Sequence, residues 1–165
     1  VQGTASVVLG GIFSALPLTT LPKISEHTFL FYGAGAAGVG IADLIALAIQ
    51  KESPGMSLAQ ARKRIWLVDS RGLVSSERVY TNDKHKVPYA HSAPTTEFNR
   101  QDLSSIAAAI RPTALIGVSA QAGAFTEKIC RHMASYNERP IIFSLSNPTK
   151  LCECTPQDAY TWTDG

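Results

Sequence analysis

Gly33, Gly35 and Gly38 stand at the spacing Gly-x-Gly-x-x-Gly, and an acid, Asp69, follows 31 positions after the last of them. These residue types suit a ligand that carries phosphates and sugar hydroxyls. Gly33 allows a sharp turn, Gly35 has no Cβ to keep a pyrophosphate from the backbone, and Gly38 lets a helix lie close to its strand. The phosphates then meet N–H groups at the positive end of a helix dipole. A carboxylate closing the next strand accepts from the hydroxyls of the adenosine ribose. The plainer alternatives are a glycine-rich turn used only for packing, and an acid that caps the turn after its strand.

The motif has meaning only if a strand precedes it and a helix follows. Thr28-Phe29-Leu30-Phe31-Tyr32 is apolar and β-prone with no helical period, and Ile41 to Ile49 is helix-forming. The usual gap from glycine turn to acid is about 20 residues. Here the turn Lys51-Glu52-Ser53-Pro54-Gly55 and a short helix Leu58–Lys63, capped by Ser57, account for the surplus before the strand Ile65–Asp69. Upstream, Thr4 reads as the N-cap of a helix over Ala5–Leu16 that Pro17 stops, with Gly10-Gly11 packed against another backbone. His27 reads as a solvated connector residue. Arg71-Gly72-Leu73 turns the chain away, and Ser75 to Arg100 is polar and irregular, with Lys84-His85-Lys86 a solvated face.

Asp102 then starts a helix over Leu103–Ile110, closed by Arg111-Pro112. Ala114–Ser119 reads as a strand, Phe125–Tyr136 as a helix, Pro140–Leu145 as a strand, and Thr155-Pro156 as the cap of a last short helix. Alternating strands and helices imply an α/β, Rossmann-type, doubly wound and mostly parallel sheet with helices on both faces. Gly33–Gly38, Asp69, Ser119-Ala120 and Ser146-Asn147 all fall at strand carboxyl ends, where such sheets bind ligands. Asn147 before Pro148 is equally a turn former.

The chain has 165 residues, 45% hydrophobic and 17% charged, with a formal net charge of +2. That composition is globular and favours neither nucleic acid nor membrane as a partner. The apolar run Val7 to Leu18 is too short to span a bilayer and has no basic leader. Three cysteines argue for a reducing compartment, the cytoplasm or else a mitochondrial or other organelle matrix. Cys152-Glu153-Cys154, with His132 or Cys130, could suggest a metal, but the spacing is narrow for a structural site, and solvated or half-buried thiols are the plainer account. The start at Val1 and the stop at Asp164-Gly165 read as an excised piece: one dinucleotide-binding domain over 1–165, cut at both ends.

Three strings together resemble the malic enzymes, the oxidative malate decarboxylases. They are Val1-Gln2-Gly3-Thr4-Ala5, Ile65-Trp66-Leu67-Val68-Asp69-Ser70-Arg71-Gly72-Leu73, and Asn137-Glu138-Arg139-Pro140-Ile141-Ile142-Phe143-Ser144-Leu145-Ser146-Asn147-Pro148-Thr149. Pro112–Ser119 and Glu153-Cys154-Thr155 match as well, so the likeness runs nearly end to end. Another Rossmann dehydrogenase, such as an amino-acid dehydrogenase, would explain Gly33 to Asp69 but not the Asn137 to Thr149 string. A module that senses a dinucleotide without chemistry is the alternative of a different class.

The resemblance implies conversion of malate to pyruvate and carbon dioxide, with hydride passing to NADP or NAD and Mg²⁺ or Mn²⁺ polarising the ketone. Gly33, Ala34, Gly35, Ala36, Ala37 and Gly38 would hold the pyrophosphate, and Asp69 and Ser70 would lie at the adenosine ribose. Thr4 and Ser119 would line the cofactor cleft, and Asn147 would reach malate or the nicotinamide end. The family's catalytic tyrosine and lysine, its substrate arginine and its metal-binding acids would precede Val1, and a further substrate asparagine would follow Gly165. The chain would then bind the cofactor without catalysing, as part of a homo-oligomeric parent. Asp69 alone favours NAD, but in this family Ser70 with Lys86 points to NADP.

Overall fold

The structure, a computed structural model, describes residues 2–165; Val1, first residue of its string, lies outside them. The apolar runs become strands β1 (Phe29–Tyr32), β2 (Ile65–Asp69), β3 (Gly72–Leu73), β4 (Ala114–Gly117) and β5 (Ile141–Ser144). The helical segments become α1 (Gln2–Ala15), α2 (Ala36–Glu52), α3 (Leu58–Arg62), α4 (Leu103–Ile110), α5 (Glu127–Tyr136) and α6 (Pro156–Trp162). They form one sheet in the order β3-β2-β1-β4-β5. β1 pairs in parallel with β2 on one side and β4 on the other, β4 pairs in parallel with β5, and only β3 runs antiparallel.

Side chains alternate across this sheet, which is why its strands are apolar throughout. Phe29 and Phe31 of β1, Ile65 and Leu67 of β2 and Ile116 of β4 face Ile12 of α1 and Ile41, Ile45 and Ile49 of α2. Leu30, Val68 and Leu115 face the other way, onto Ile106 of α4 and Ile129 and Met133 of α5. Each fully buried side chain of this size contributes about 1.5–3 kcal/mol relative to exposure. Both faces of the central strands are therefore covered, which leaves their ends for a ligand.

Local signals set most boundaries. Ser57 and Gln60 close a reciprocal capping box on α3, and Asp102, Thr126 and Thr155 each accept a backbone N–H at the start of α4, α5 and α6. α1 begins two residues before Thr4, so Thr4 is an exposed residue of its first turn rather than its N-cap. Of the glycine pair, only Gly11 sits close to a neighbour: a Cβ there would lie 3.3 Å from the ring of Phe143.

His27 is not solvated. It is 1% exposed, with Nδ1 2.8 Å from the Thr113 hydroxyl and Nε2 2.8 Å from the Leu21 carbonyl, tying the start of β1 to the start of β4. Cys130 and Cys154 are buried rather than solvated, and Cys152 is intermediate. Arg71-Gly72-Leu73 does more than turn the chain, since Gly72-Leu73 adds β3 to the edge of β2. No helix among the described residues is long and apolar enough to cross a membrane.

Candidate functional site

Because β1 bonds to β2 on one edge and β4 on the other, the crossovers that lead to β2 and to β4 run in opposite directions, and the loops after β1 and β4 separate. A cleft of about 990 Å³ opens there. Gly33 forms its floor: its φ is +114°, and a Cβ would meet the Val118 carbonyl oxygen at 2.5 Å, so only glycine fits. Gly38 lies buried where a Cβ would strike the Gly33 carbonyl, and this close fit sets α2 against β1. Gly35 is the N-cap of α2 and brings no side chain to its first N–H groups, while a Cβ there would meet nothing within 4 Å. The opening turn of α2 thus offers N–H donors and the positive end of a 17-residue dipole to the cleft.

At the end of β2 the Asp69 carboxylate is saturated. Its Oδ1 accepts from the Arg71 N–H (2.9 Å) and Arg78 Nη1 (3.0 Å), and its Oδ2 from Arg78 Nη2 (2.7 Å) and Lys86 Nζ (2.9 Å). Burial by itself would raise the pKa of this carboxyl, but the bonds from Arg78, Lys86 and the Arg71 N–H outweigh it and hold the group down to about 2. Lys86 also donates to Asp83 (3.2 Å), leaving one of its three ammonium protons free. It is not part of a solvated face; its side chain is only 13% exposed.

The loop that carries Lys86 is anchored just beyond it by two side chains, Tyr89 and His91. The 3₁₀ segment Lys84–Tyr89 ends in the buried Tyr89, whose hydroxyl donates to Asp43 of α2 at 2.5 Å. His91 Nε2 lies 2.8 Å from the carbonyls of Arg62 and Ile65, so it carries the proton and donates. Burial keeps the His91 pKa below its usual value, which favours this neutral ring.

The cleft brings together Gly33, Ala34, Gly35, Ala36, Asp69, Ser70, Lys86 and Ser119. Ala37 and Gly38 continue α2 behind that lining, and neither Thr4 nor Asn147 borders the cleft. Asn147 stands exposed beyond β5.

The family described as "Malic enzyme, NAD binding domain" matches residues 1–165. The chain belongs to this family. The whole chain is similar to the tomato (Solanum lycopersicum) chloroplastic NADP-dependent malic enzyme, at 48% identity over 28% of that protein. It is likewise similar to the pig (Sus scrofa) NADP-dependent malic enzyme, at 49% identity over 28% of its length. The crystal structure of Entamoeba histolytica malic enzyme matches 98% of this chain and 30% of its own, with a TM-score of 0.70 and 25% identity. This malic enzyme domain spans little more than a quarter of the curated relatives it matches.

Sequence reasoning missed Arg78, Asp43 and Glu153. Nothing around Arg78 or Asp43 signals a partner, because both pairings depend on how an irregular loop folds back. Glu153 had a signal: Ser144 and Ser146, two apart at a strand end, put two hydroxyls on one side, and both donate to Glu153.

The Asp69 cluster has a consequence for acid stability. A carboxyl whose folded pKa is depressed gives its full stabilisation above the unfolded value of about 3.9 and loses it as pH falls through about 2. The chain should lose up to about 2 kcal/mol across that window, and Asp69→Asn should flatten the loss. Urea midpoints measured from pH 5, about one unit above the unfolded value, down to pH 2, where the folded carboxyl is half protonated, check this; parallel acid slopes for both proteins would contradict it.

Proposed function

We propose that this chain is the cofactor-binding part of a longer malic enzyme that oxidatively decarboxylates malate to pyruvate and carbon dioxide with NADP. The observation that carries the reading is the cleft itself, with the side-chain-free N-terminus of α2 at its floor and a charge-compensated Asp69 at one end. The pyrophosphate lies against Gly33–Gly38, the adenosine half over Asp69 and Ser70, and the nicotinamide half toward Ser119. A bound dinucleotide supplies hydride-accepting chemistry. The residues of this chain bind it, orient it and screen its charge. Asn147, beyond β5, reaches malate or the nicotinamide end once the rest of the parent closes over the cleft, and Thr4, which stands outside the cleft in this chain, comes to line it in that same closed parent.

The acid, base and metal ligands belong to other parts of the parent. Among the described residues no group of three or more His, Cys, Asp or Glu is arranged to hold a metal ion. Mg²⁺ or Mn²⁺ therefore does not fit this chain's own donors. We place the parent, a homo-oligomer, in a reducing compartment, the cytoplasm or an organelle matrix.

Gly35→Val tests the phosphate site. The side chain enters open space, so the fold is retained, but it occupies the approach to the α2 N-terminus. Calorimetry should show NADP affinity falling more than about tenfold, over ~1.4 kcal/mol, with the melting temperature unchanged. Unchanged affinity would refute the cradle.

The choice of NADP rests on charge. Arg78, Lys86 and Arg71 face the two carboxylates Asp69 and Asp83, so one positive charge remains beside Ser70 to offset the repulsion of a 2′-phosphate, and Lys86 keeps one donor free. Lys86→Gln removes one cation and strengthens the residual field of Asp69. It should weaken NADP binding about tenfold, ~1.4 kcal/mol, and leave NAD nearly unchanged in the same titration. Equal losses, or a wild-type preference for NAD, would overturn the assignment.

A further inference from the structure

A serine hydroxyl ordinarily rotates to donate or accept as its surroundings require. At the carboxyl ends of β4 and β5, three serines have lost that freedom to one buried carboxylate. Glu153 is 0% exposed. Its Oε1 accepts from the Ser119 N–H (2.9 Å), the Ser119 hydroxyl (2.8 Å) and the Ser146 hydroxyl, and its Oε2 from the Ser144 hydroxyl (3.0 Å). Burial on its own would raise the Glu153 pKa, but the bonds from Ser146 and Ser119 lower it below the usual carboxylate range. An ionised carboxylate only accepts, so all three hydroxyl protons point inward.

Each hydroxyl in turn receives a backbone N–H. Gln121 donates to Ser119 (3.2 Å), Ala120 to Ser146 (2.8 Å) and Cys154 to Ser144 (3.2 Å). Ala120 is held with φ at +55°, a conformation that costs a non-glycine residue energy. Gly117 closes β4 where a Cβ would meet the Glu153 carboxyl carbon at 2.5 Å, so the strand is open to the carboxylate only because that residue is glycine. Ser119 is the one of the three that borders the cleft. With its proton given to Glu153 and one lone pair taken by Gln121, it has a single lone pair left for a ligand.

We propose that Glu153 is a positioning residue that fixes Ser119 as an obligate hydrogen-bond acceptor at the nicotinamide end of the cleft. This rests on the cofactor reading above. The group it receives is an N–H or O–H donor on the nicotinamide riboside half, either the carboxamide N–H or a ribose hydroxyl. In Glu153→Gln the amide can itself donate to the serines, which releases the Ser119 proton toward the cleft and sets donor against donor.

The test is calorimetric titration of wild type, Glu153→Gln and Ser119→Ala with three ligands. They are NADP, adenosine 2′,5′-bisphosphate, which lacks the nicotinamide riboside, and the 3-acetylpyridine analogue of NADP, which lacks only the amide N–H. Both variants should bind NADP about tenfold more weakly and the bisphosphate as wild type does. If the analogue is bound equally by all three proteins, the donor is the carboxamide; if it shows the same tenfold loss, the donor is a ribose hydroxyl. Either result supports the proposal. Unchanged NADP binding in Glu153→Gln, or an equal loss for NADP and bisphosphate, would overturn it and leave Glu153 a purely structural residue. Should Glu153→Gln fail to fold, Ser119→Ala decides by the same two comparisons. A wild type that binds neither NADP nor the bisphosphate would refute the cofactor reading, and this proposal with it.

Discussion

β1 hydrogen-bonds in parallel to β2 along one edge and to β4 along the other, and the rest of the molecule follows from that pairing. Two parallel neighbours force two crossovers in opposite directions. The turn after β1 then has no room to spread: Gly33 lies under the Val118 carbonyl, and Gly38 lies on Gly33. The same squeeze aims the first turn of α2 along the sheet edge at whatever occupies the cleft. A side chain at Gly33 would break the turn. One at Gly35 would leave the turn intact and fill the space in front of it.

A half-buried carboxylate, Asp69, stands at one end of this cleft and a fully buried one, Glu153, behind Ser119 at the other, and they are satisfied by opposite means. Asp69 is met by two cations, so its surroundings can accept a further negative charge. Glu153 is met by neutral hydroxyls and an N–H, so it keeps its charge and orients protons instead. Both clusters tie loop residues to the sheet's carboxyl end, Arg78 and Lys86 at Asp69 and Ser119 and Ser146 at Glu153. Binding geometry and stability are coupled here: the residues that shape the ligand's surroundings also fasten the strand ends.

The sheet and its helices were legible because their signals are local. β2 spans Ile65–Asp69 as its apolar run suggests, and the caps at Ser57, Asp102 and Thr155 open the helices they should. The glycine turn was legible for the same reason. What could not be read depends on partners distant in sequence. His27 is buried because Thr113, 86 positions away, offers it a hydroxyl. Lys86 reads as a solvated cation until Asp69, 17 positions earlier, is brought beside it. β3 is two residues long, too short for any periodicity. Thr4 resembles an N-cap by type alone, and the helix simply starts earlier. Glu153 lies within a cysteine pair that draws attention to metals, although its partners are serines.

The central claim is that the cleft across β2, β1 and β4 holds a dinucleotide with its phosphates on the first turn of α2. Titrating the ¹⁵N-labelled chain with NADP and following its backbone amides tests this most directly. The account predicts saturable shifts that are largest at Gly35, Ala36 and Ala37, with a second group at Ser70 and a third at Ser119. Shifts confined to the outer faces of α4 and α5, or none at saturating NADP, would contradict it.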